Sequence, residues 1–385
     1  MDRGSFITES DGDFLSPRRA HRVTTPFLYS GKLGHARKQA ALRPQRQELS
    51  TYMPSPAISV AMSVYNGERF LASAIESVLS QSFRDFELLI VDDGSVDKSA
   101  SIIRQYAQAD SRVRPIIREN RGLVASLNQM LDEAQAPIVA RMDADDICHP
   151  DRFARQFDFL TAHPDYGVVG SWSEDIGEDG ENLIRSGADH PETHEDLMEA
   201  IAVGGQLICH PAAMYRRDVV RGVGGYHAAF RHCEDLDLWL RLSSVTRLGN
   251  IPERLLRYRR YSGQVSSRHA TEQQIGTAVA QVAWRERAAG RPDPTAGLQS
   301  LPPISELDRL FGRQGISTAV REQVAMGLLY SASAMRDEGF DLLMSHVREG
   351  GRRDGMWRTV VRLLRFGEPM RALRLAGALA FSRAG

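Results

Sequence analysis

The segment RMDADDICHPDRF, residues 141–153, places Asp143, Asp145 and Asp146 within four positions, directly after the apolar run PIVAR. Carboxylates this close repel one another, and each loses solvation near a core, so the cluster needs either a compensating cation or an exposed loop. Mg²⁺ and Mn²⁺ prefer oxygen ligands and are commonly held by few carboxylates, with substrate phosphates completing the shell. A solvated acidic turn is the plain alternative for any D-x-D pattern. The position of this one at the end of a buried strand favours the cation.

Two further acidic groups stand at comparable places. VDDGS, residues 91–95, follows a second apolar strand. Asp92 or Asp93 there can accept a ring imide N–H or ribose hydroxyls, while Ser95 or Asp97 can cap the helix that begins in KSASIIRQY. In CEDLDLWLR, residues 233–241, Glu234 and Asp235 open a helix with an apolar face of Leu236, Leu238, Trp239 and Leu242. The helix dipole favours their charged forms, and capping is again the alternative. Tyr65 and Trp239 read first as packing residues. His210, in CHPAAMY, reads as a hydrogen-bonded buried histidine, since no second His stands at ligand spacing. The turn after the first strand, SVYNGERF, is neither GxGxxG nor GxxxxGK[ST], so the dinucleotide fingerprint and the P-loop are both missing.

The elements that position these groups follow from periodicity. From Ile58 onward, ISVAMSV, FELLIVDD, VRPII and PIVARM read as buried strands, and GERFLASAIESVLSQ, SASIIRQYAQA and LVASLNQMLDEA read as helices between them. This alternation predicts a parallel sheet with helices on both faces, and ligands in such sheets bind beyond the carboxyl ends of the strands. VYN, DDGS and DADD all fall at those ends. Residues 1–56 are rich in Arg, Ser, Thr and Pro with no apolar period, which predicts a disordered leader and makes Met53 an alternative start. A catalytic domain is expected over 57–270. A helical, Arg-rich region is expected over 271–385.

The chain has 385 residues and a formal net charge of −1, which is unevenly laid out. Residues 1–50 carry +4, residues 351–385 carry +6, and the middle carries −11. An acidic body with basic ends argues against nucleic-acid binding and fits a site built from carboxylates. Cys148, Cys209 and Cys233 are too few and too scattered for a disulfide framework, so a reducing compartment is expected. With no apolar run long enough to span a bilayer and no signal-peptide core, the expectation is a cytoplasmic protein. Its Arg-rich tail, mixing Trp357, Val360, Val361, Leu364, Leu373 and Leu375 with arginines, can touch an anionic membrane from the inside.

In order and at these separations, the first strand through VDDGSVDKS, then NRGLVASLN, IVARMDADDICHPDRF, HPAAMYRR and EDLDLWLRL resemble the family 2 glycosyltransferases over residues 57–265. The resemblance implies a GT-A fold, a Rossmann-like mixed sheet flanked by helices, here with a helical C-terminal extension. It implies a nucleotide-sugar donor, with UDP as the nucleotide. Ser63 and Tyr65 match positions that contact base and ribose, and Asp93 matches the acid that pairs with uracil. Arg141 and Asp143 stand at the donor, Asp143 near the ribose. Asp145, with Asp143, matches the metal-binding acid of D-x-D, and Asp235, with Glu234 beside it, matches the catalytic base. The chain departs from the family at RYRRYSGQVS, where Tyr261 stands in place of a His near the diphosphate. The Q-x-x-R-W motif of processive synthases is missing.

The reading is then a metal-dependent, inverting transfer of one sugar to a saccharide or lipid-linked acceptor, in cell-surface polysaccharide or glycan synthesis. Asp235 takes the acceptor proton, and Mg²⁺ or Mn²⁺ at Asp145 stabilises the leaving diphosphate. A metal-dependent nucleotidyltransferase shares the carboxylates but calls for a basic, glycine-rich phosphate loop after the first strand. A non-catalytic nucleotide-sugar-binding protein is the other competitor.

Overall fold

A computed structural model describes residues 55–183, 187–261, 263–264, 269–329, 331, 334–336 and 338–381. The leader expected over residues 1–56 lies outside the described residues except for its last two. The described residues form one compact unit.

β1 (Ile58–Val64), β2 (Phe86–Asp93), β3 (Val113–Arg118) and β4 (Ile138–Asp143) pair in parallel in the order β3-β2-β1-β4. Between them run α1 (Leu71–Leu79), α2 (Ser99–Ala109) and α3 (Leu123–Glu133). Strand alternation divides the apolar side chains between two cores. Ile58, Val60, Met62, Leu88 and Ile90 face one core with Ile75 of α1 and Ile103 of α2. Ala61, Leu89, Val91 and Val139 face the other with Leu127 and Met130 of α3. Because all four strands run the same way, Ser63 sits in register with both Val91 and Asp143, and the three acidic or polar turns share one edge.

The sheet then becomes mixed. After β5 (Ile147–Cys148), α4 (Arg152–Ala162), β6 (Tyr166–Ile176) and α5 (His194–Val203), the short β7 (Met214–Arg216) runs antiparallel to both β4 and β6. α6 (Arg217–Gly222) and α7 (Glu234–Leu242) follow, and then the long β8 (Arg247–Arg259), parallel to β6 and antiparallel to β5. Arg152 is fully buried at the seam. Its Nη2 donates to the carbonyls of Arg141 (2.7 Å) and Ala213 (3.2 Å), tying the end of β4 to the segment before β7.

Beyond β8 the chain is helical: α8 (Ala270–Ala288), α9 (Leu307–Phe311), α10 (Ile316–Leu328), α11 (Glu338–Arg348), α12 (Met356–Arg365) and α13 (Pro369–Phe381). These helices share the core of α7. Leu238, Trp239 and Leu242 belong to the same apolar cluster as Val279, Val324, Phe340, Leu363 and Leu375. In the tail, Trp357, Val361, Leu364, Met370 and Leu373 are exposed, whereas Leu375 is buried and Val360 packs partly against the core. The amphipathic tail therefore uses one face for the fold and leaves the other to solvent, which removes Leu375 and Val360 from the expected membrane-facing set.

Candidate active site

β4 delivers the first acidic group. Met142 points into the core beneath α1, so its neighbours Arg141 and Asp143 emerge on the opposite face. Arg141 is buried, pairs through Nη1 with Asp143 Oδ1, and leaves its Nε without a hydrogen-bond partner among the described residues. The end of β8 closes over the loop that follows. The Arg259 backbone N–H donates to Asp146 Oδ1 (2.8 Å), its Nε donates to the Asp145 carbonyl (2.7 Å), and the Tyr261 hydroxyl donates to Asp145 Oδ2 (3.0 Å). Phe70 backs this arrangement, 5.2 Å from the Tyr261 ring and 4.5 Å from the Arg259 guanidinium.

Asp143, Asp145 and Asp146 each offer an oxygen within 4.8 Å of the others. Burial, then the charge on Asp143, push the Asp145 carboxyl up to about 6, against the lowering effect of the Tyr261 hydrogen bond. Burial, then Asp143 and Asp145, hold Asp146 well above the usual carboxylate range, and its Oδ2 is buried with no partner among the described residues. A cluster in which burial and mutual repulsion raise two carboxyls, made only of oxygen donors and with one orphaned oxygen, fits a hard divalent cation.

The third acidic group arrives on α7. Glu234 is its first residue, and Cys233 before it makes no side-chain cap. Asp235 Oδ1 accepts the N–H of Leu236 (2.8 Å). Burial, then the charge of Asp235, raise the Glu234 carboxyl to about 8. Asp235 stays partly open to solvent, yet it sits deep enough for desolvation to raise its pKa too. Arg141 and Asp143 act on both carboxyls, so residues about ninety positions apart in the chain form one electrostatic site. Asp237 is different. It is buried and paired with Arg241 at 2.7 Å, a contact within the helix.

Ser63, Tyr65 and Asp93 lie along the same sheet edge. Asp93 is buried, with Oδ1 accepting the N–H of Arg121 (2.9 Å) and pairing with Arg118 (2.8 Å), and Oδ2 accepting the N–H of Gly122 (2.8 Å). It thus holds the start of α3. The first turn of α2 is served by Asp97, which accepts from the N–H groups of Ser99 and Glu68 (both 2.9 Å). Ser95 accepts from Asn66 instead (2.9 Å). Gly94 has φ +81, and a Cβ there would stand 2.6 Å from the backbone nitrogen of Asn120, so the turn requires glycine. Tyr65 is 57% exposed beside this interlocked rim, a surface aromatic rather than a packing residue.

His210 donates to or accepts from the Tyr226 hydroxyl at 3.0 Å and packs edge-on to Trp239, as a buried, hydrogen-bonded histidine. Burial, then Arg141, hold its pKa well below the usual value, so it is neutral. Two features were missed by sequence reasoning: Arg259 as the residue that pins the acidic loop, and Tyr261 as a direct partner of Asp145. The motif departure at RYRRY was their only signal in the sequence.

The family model described as Glycosyl transferase family 2 matches residues 59–224. EpsE of Bacillus subtilis, which carries a glycosyltransferase name, is 38% identical over 221 residues, covering 56% of this chain and 77% of EpsE. The O-antigen biosynthesis glycosyltransferase WbnJ of Escherichia coli is 32% identical over 206 residues, covering 52% of this chain and 79% of WbnJ. Among solved structures, S. aureus TarS in complex with UDP-GlcNAc aligns over 84% of this chain and 90% of that chain, with a TM-score of 0.48 and 17% identity.

Proposed function

Because the chain belongs to glycosyl transferase family 2, we propose that it moves a single sugar from a UDP-sugar to a hydroxyl of a saccharide or lipid-linked saccharide, with inversion. The observation that carries this reading is convergence. Asp143 raises the pKa of Asp145 and Asp146 at one sheet edge and also contributes to raising those of Glu234 and Asp235 on α7. A donor diphosphate and an acceptor hydroxyl must meet in one place, and this is where a base and a cation-binding group lie together.

Asp235 is the base. It accepts the acceptor hydroxyl proton as that oxygen bonds to the anomeric carbon, while the bond from that carbon to the diphosphate oxygen breaks and its electron pair leaves with UDP. One displacement inverts the configuration. Glu234, with its carboxyl at about 8, carries a proton at neutral pH and so adds no second charge beside Asp235. Asp143 and Asp145 would hold Mg²⁺ or Mn²⁺, which when bound supplies Lewis-acid stabilisation of the departing diphosphate. Arg141 is the buried cation that pairs with Asp143 and aims it. Ser63 and Tyr65 line the donor edge for ribose and base, and Asp93, at the same edge, reads the uracil.

A role in cell-surface polysaccharide assembly draws on the names of WbnJ and of the amylovoran biosynthesis glycosyltransferase AmsE of Erwinia amylovora, 30% identical over 214 residues. No described helix is long and apolar enough to cross a membrane. The exposed Trp357, Val361 and Leu364 of α12, with the exposed Arg358 and Arg365, suit peripheral contact with an anionic cytoplasmic leaflet, where a lipid-linked acceptor would be presented.

The test is nucleoside diphosphate release from a panel of nucleotide-sugars by the purified full chain with Mn²⁺, followed by an acceptor screen. UDP release that EDTA abolishes, that Mn²⁺ or Mg²⁺ restores and that Asp145→Asn lacks is the expected result. Undiminished turnover in chelator would overturn the role given to the acidic cluster, and nucleotide binding without any turnover would leave a binding protein.

A further inference from the structure

The helices that close the chain form a cleft that the transfer chemistry does not use. α11 and α13 each bury one apolar face in the core, with Leu343 and Val347 on the first and Leu375 and Leu379 on the second. On their solvent side the packing stops short, and a cleft of about 510 Å³ opens between them. Met344, Met370, Leu373 and Ala378 supply its apolar lining. Met370 and Leu373 are 70% and 67% exposed, so the lining is wet. Gly377, also at the cleft, lies inside α13, where glycine weakens a helix. A Cβ there would meet nothing within 4 Å. Packing against the described residues therefore does not require glycine at this position; its missing side chain leaves the cleft open.

Two arginines stand at the same cleft, Arg348 from the end of α11 and Arg374 from α13. Both are exposed, and Arg348 makes no ion pair among the described residues. Arg374 lies over the Phe340 ring, 5.1 Å from its centroid, and reaches Asp341 Oδ1 only at 3.5 Å, with both side chains open to solvent. Such a contact holds the guanidinium weakly. A pair of available cations beside an apolar trough calls for a ligand with an anionic head and a hydrocarbon tail. A second copy of the chain fits poorly. A self-complementary contact lays the same patch on both subunits and would set these arginines against their own counterparts.

We propose that the cleft between α11 and α13 binds one hydrocarbon chain of a phosphate-bearing membrane lipid, with Arg348 and Arg374 pairing to the phosphate. The unbranched thioethers of Met344 and Met370 adapt to a flexible chain, and the cleft is of the size that small-molecule sites have, about 300–1,000 Å³. This is a discrete, saturable site, whereas the exposed face of α12 meets a leaflet only as a surface. Occupancy ties the C-terminal helices to a single lipid and enters no step of the transfer reaction.

The experiment titrates monododecyl phosphate, kept below its micelle concentration, into the purified full chain and follows binding by calorimetry. Inorganic phosphate serves as the head alone, and dodecyl maltoside as the chain with a neutral head. With no bilayer and no donor present, the result is separate from vesicle adhesion and from turnover. The expected result is one equivalent of monododecyl phosphate, bound more tightly than either control. Gly377→Leu fills the cleft and should weaken binding by more than about tenfold, since excluding about two methylenes costs that much. Its melting temperature should be no lower than that of the wild type, because the new side chain enters open space. Arg348→Gln with Arg374→Gln should weaken monododecyl phosphate more than dodecyl maltoside, while Trp357→Ser with Leu364→Ser should leave both unchanged. Lack of saturable binding by the wild type, full binding by Gly377→Leu, or displacement by equimolar inorganic phosphate overturns the site. So does a dimer in sedimentation that Gly377→Leu abolishes, which would give the cleft to a second copy of the chain.

Discussion

Asp235→Asn separates the chemistry of the site from its architecture. Asp235 Oδ1 accepts the Leu236 N–H at 2.8 Å, and an asparagine carbonyl oxygen reproduces that contact. Asn and Asp serve helix starts about equally. Losing the charge forfeits at most about 0.3–1 kcal/mol of dipole interaction. It also relieves desolvation of Asp235 and the repulsion that raises Glu234, so the terms oppose and the melting temperature should move by no more than a few degrees. The rate has no such compensation. An amide cannot take the acceptor proton, and loss of a general base costs about 10² to 10⁴ in rate, or about 3–5 kcal/mol of transition-state stabilisation. UDP affinity should be nearly unchanged, because the base acts on the acceptor. Measuring turnover, UDP affinity and melting temperature on one preparation decides the matter. Near-normal turnover with intact folding would refute Asp235 as the base, and the role would pass to Glu234, since Asp237 is committed to Arg241.

The Glu234 carboxyl sits at about 8 in the fold against about 4.5 when unfolded. Between those values the folded state binds the extra proton, so stability falls as pH rises. Glu234→Gln removes that loss, and its melting temperature should gain on the wild type steadily from pH 5 to pH 8; a constant difference would contradict the raised pKa. Tyr261→Phe deletes the hydroxyl that holds Asp145 ionised, so Mn²⁺ affinity should drop more at pH 6 than at pH 8, as followed by electron paramagnetic resonance; a ratio independent of pH would rule out that role. Asp93→Ala strips partners from the Arg121 and Gly122 N–H groups and from Arg118, so it should cost about 1–3 kcal/mol of stability in addition to UDP affinity, as denaturant unfolding and calorimetry would show. Trp357→Ser with Leu364→Ser, both exposed, should reduce co-sedimentation with anionic vesicles and leave folding intact; undiminished binding would exclude this face as the anchor.

Much of the fold was legible in the chain because its front half obeys local rules. Period-2 and period-3.6 patterns set out β1 to β4 and their helices, and parallel connection then brought VYN, DDGS and DADD to one edge. The first turn of α7 at Glu234 and Asp235 was equally plain, because an acidic start ahead of an apolar helical face is a local signal. What the sequence could not decide was which groups share a field. Asp93 reads only as a ligand-facing acid, and that its oxygens also hold the start of α3 is decided by packing, since a carboxylate takes whichever N–H groups the fold presents. Tyr261 reads as a motif departure, and only the long return of β8 past β5 sets its hydroxyl on Asp145. The raised carboxyls of Asp145 and Glu234 depend on burial and like charge, which exist only once distant segments pack together. Met344 and Leu373 stand far apart in the chain, and no spacing rule joins them. They line one cleft because α11 and α13 must each bury an apolar face in the same core.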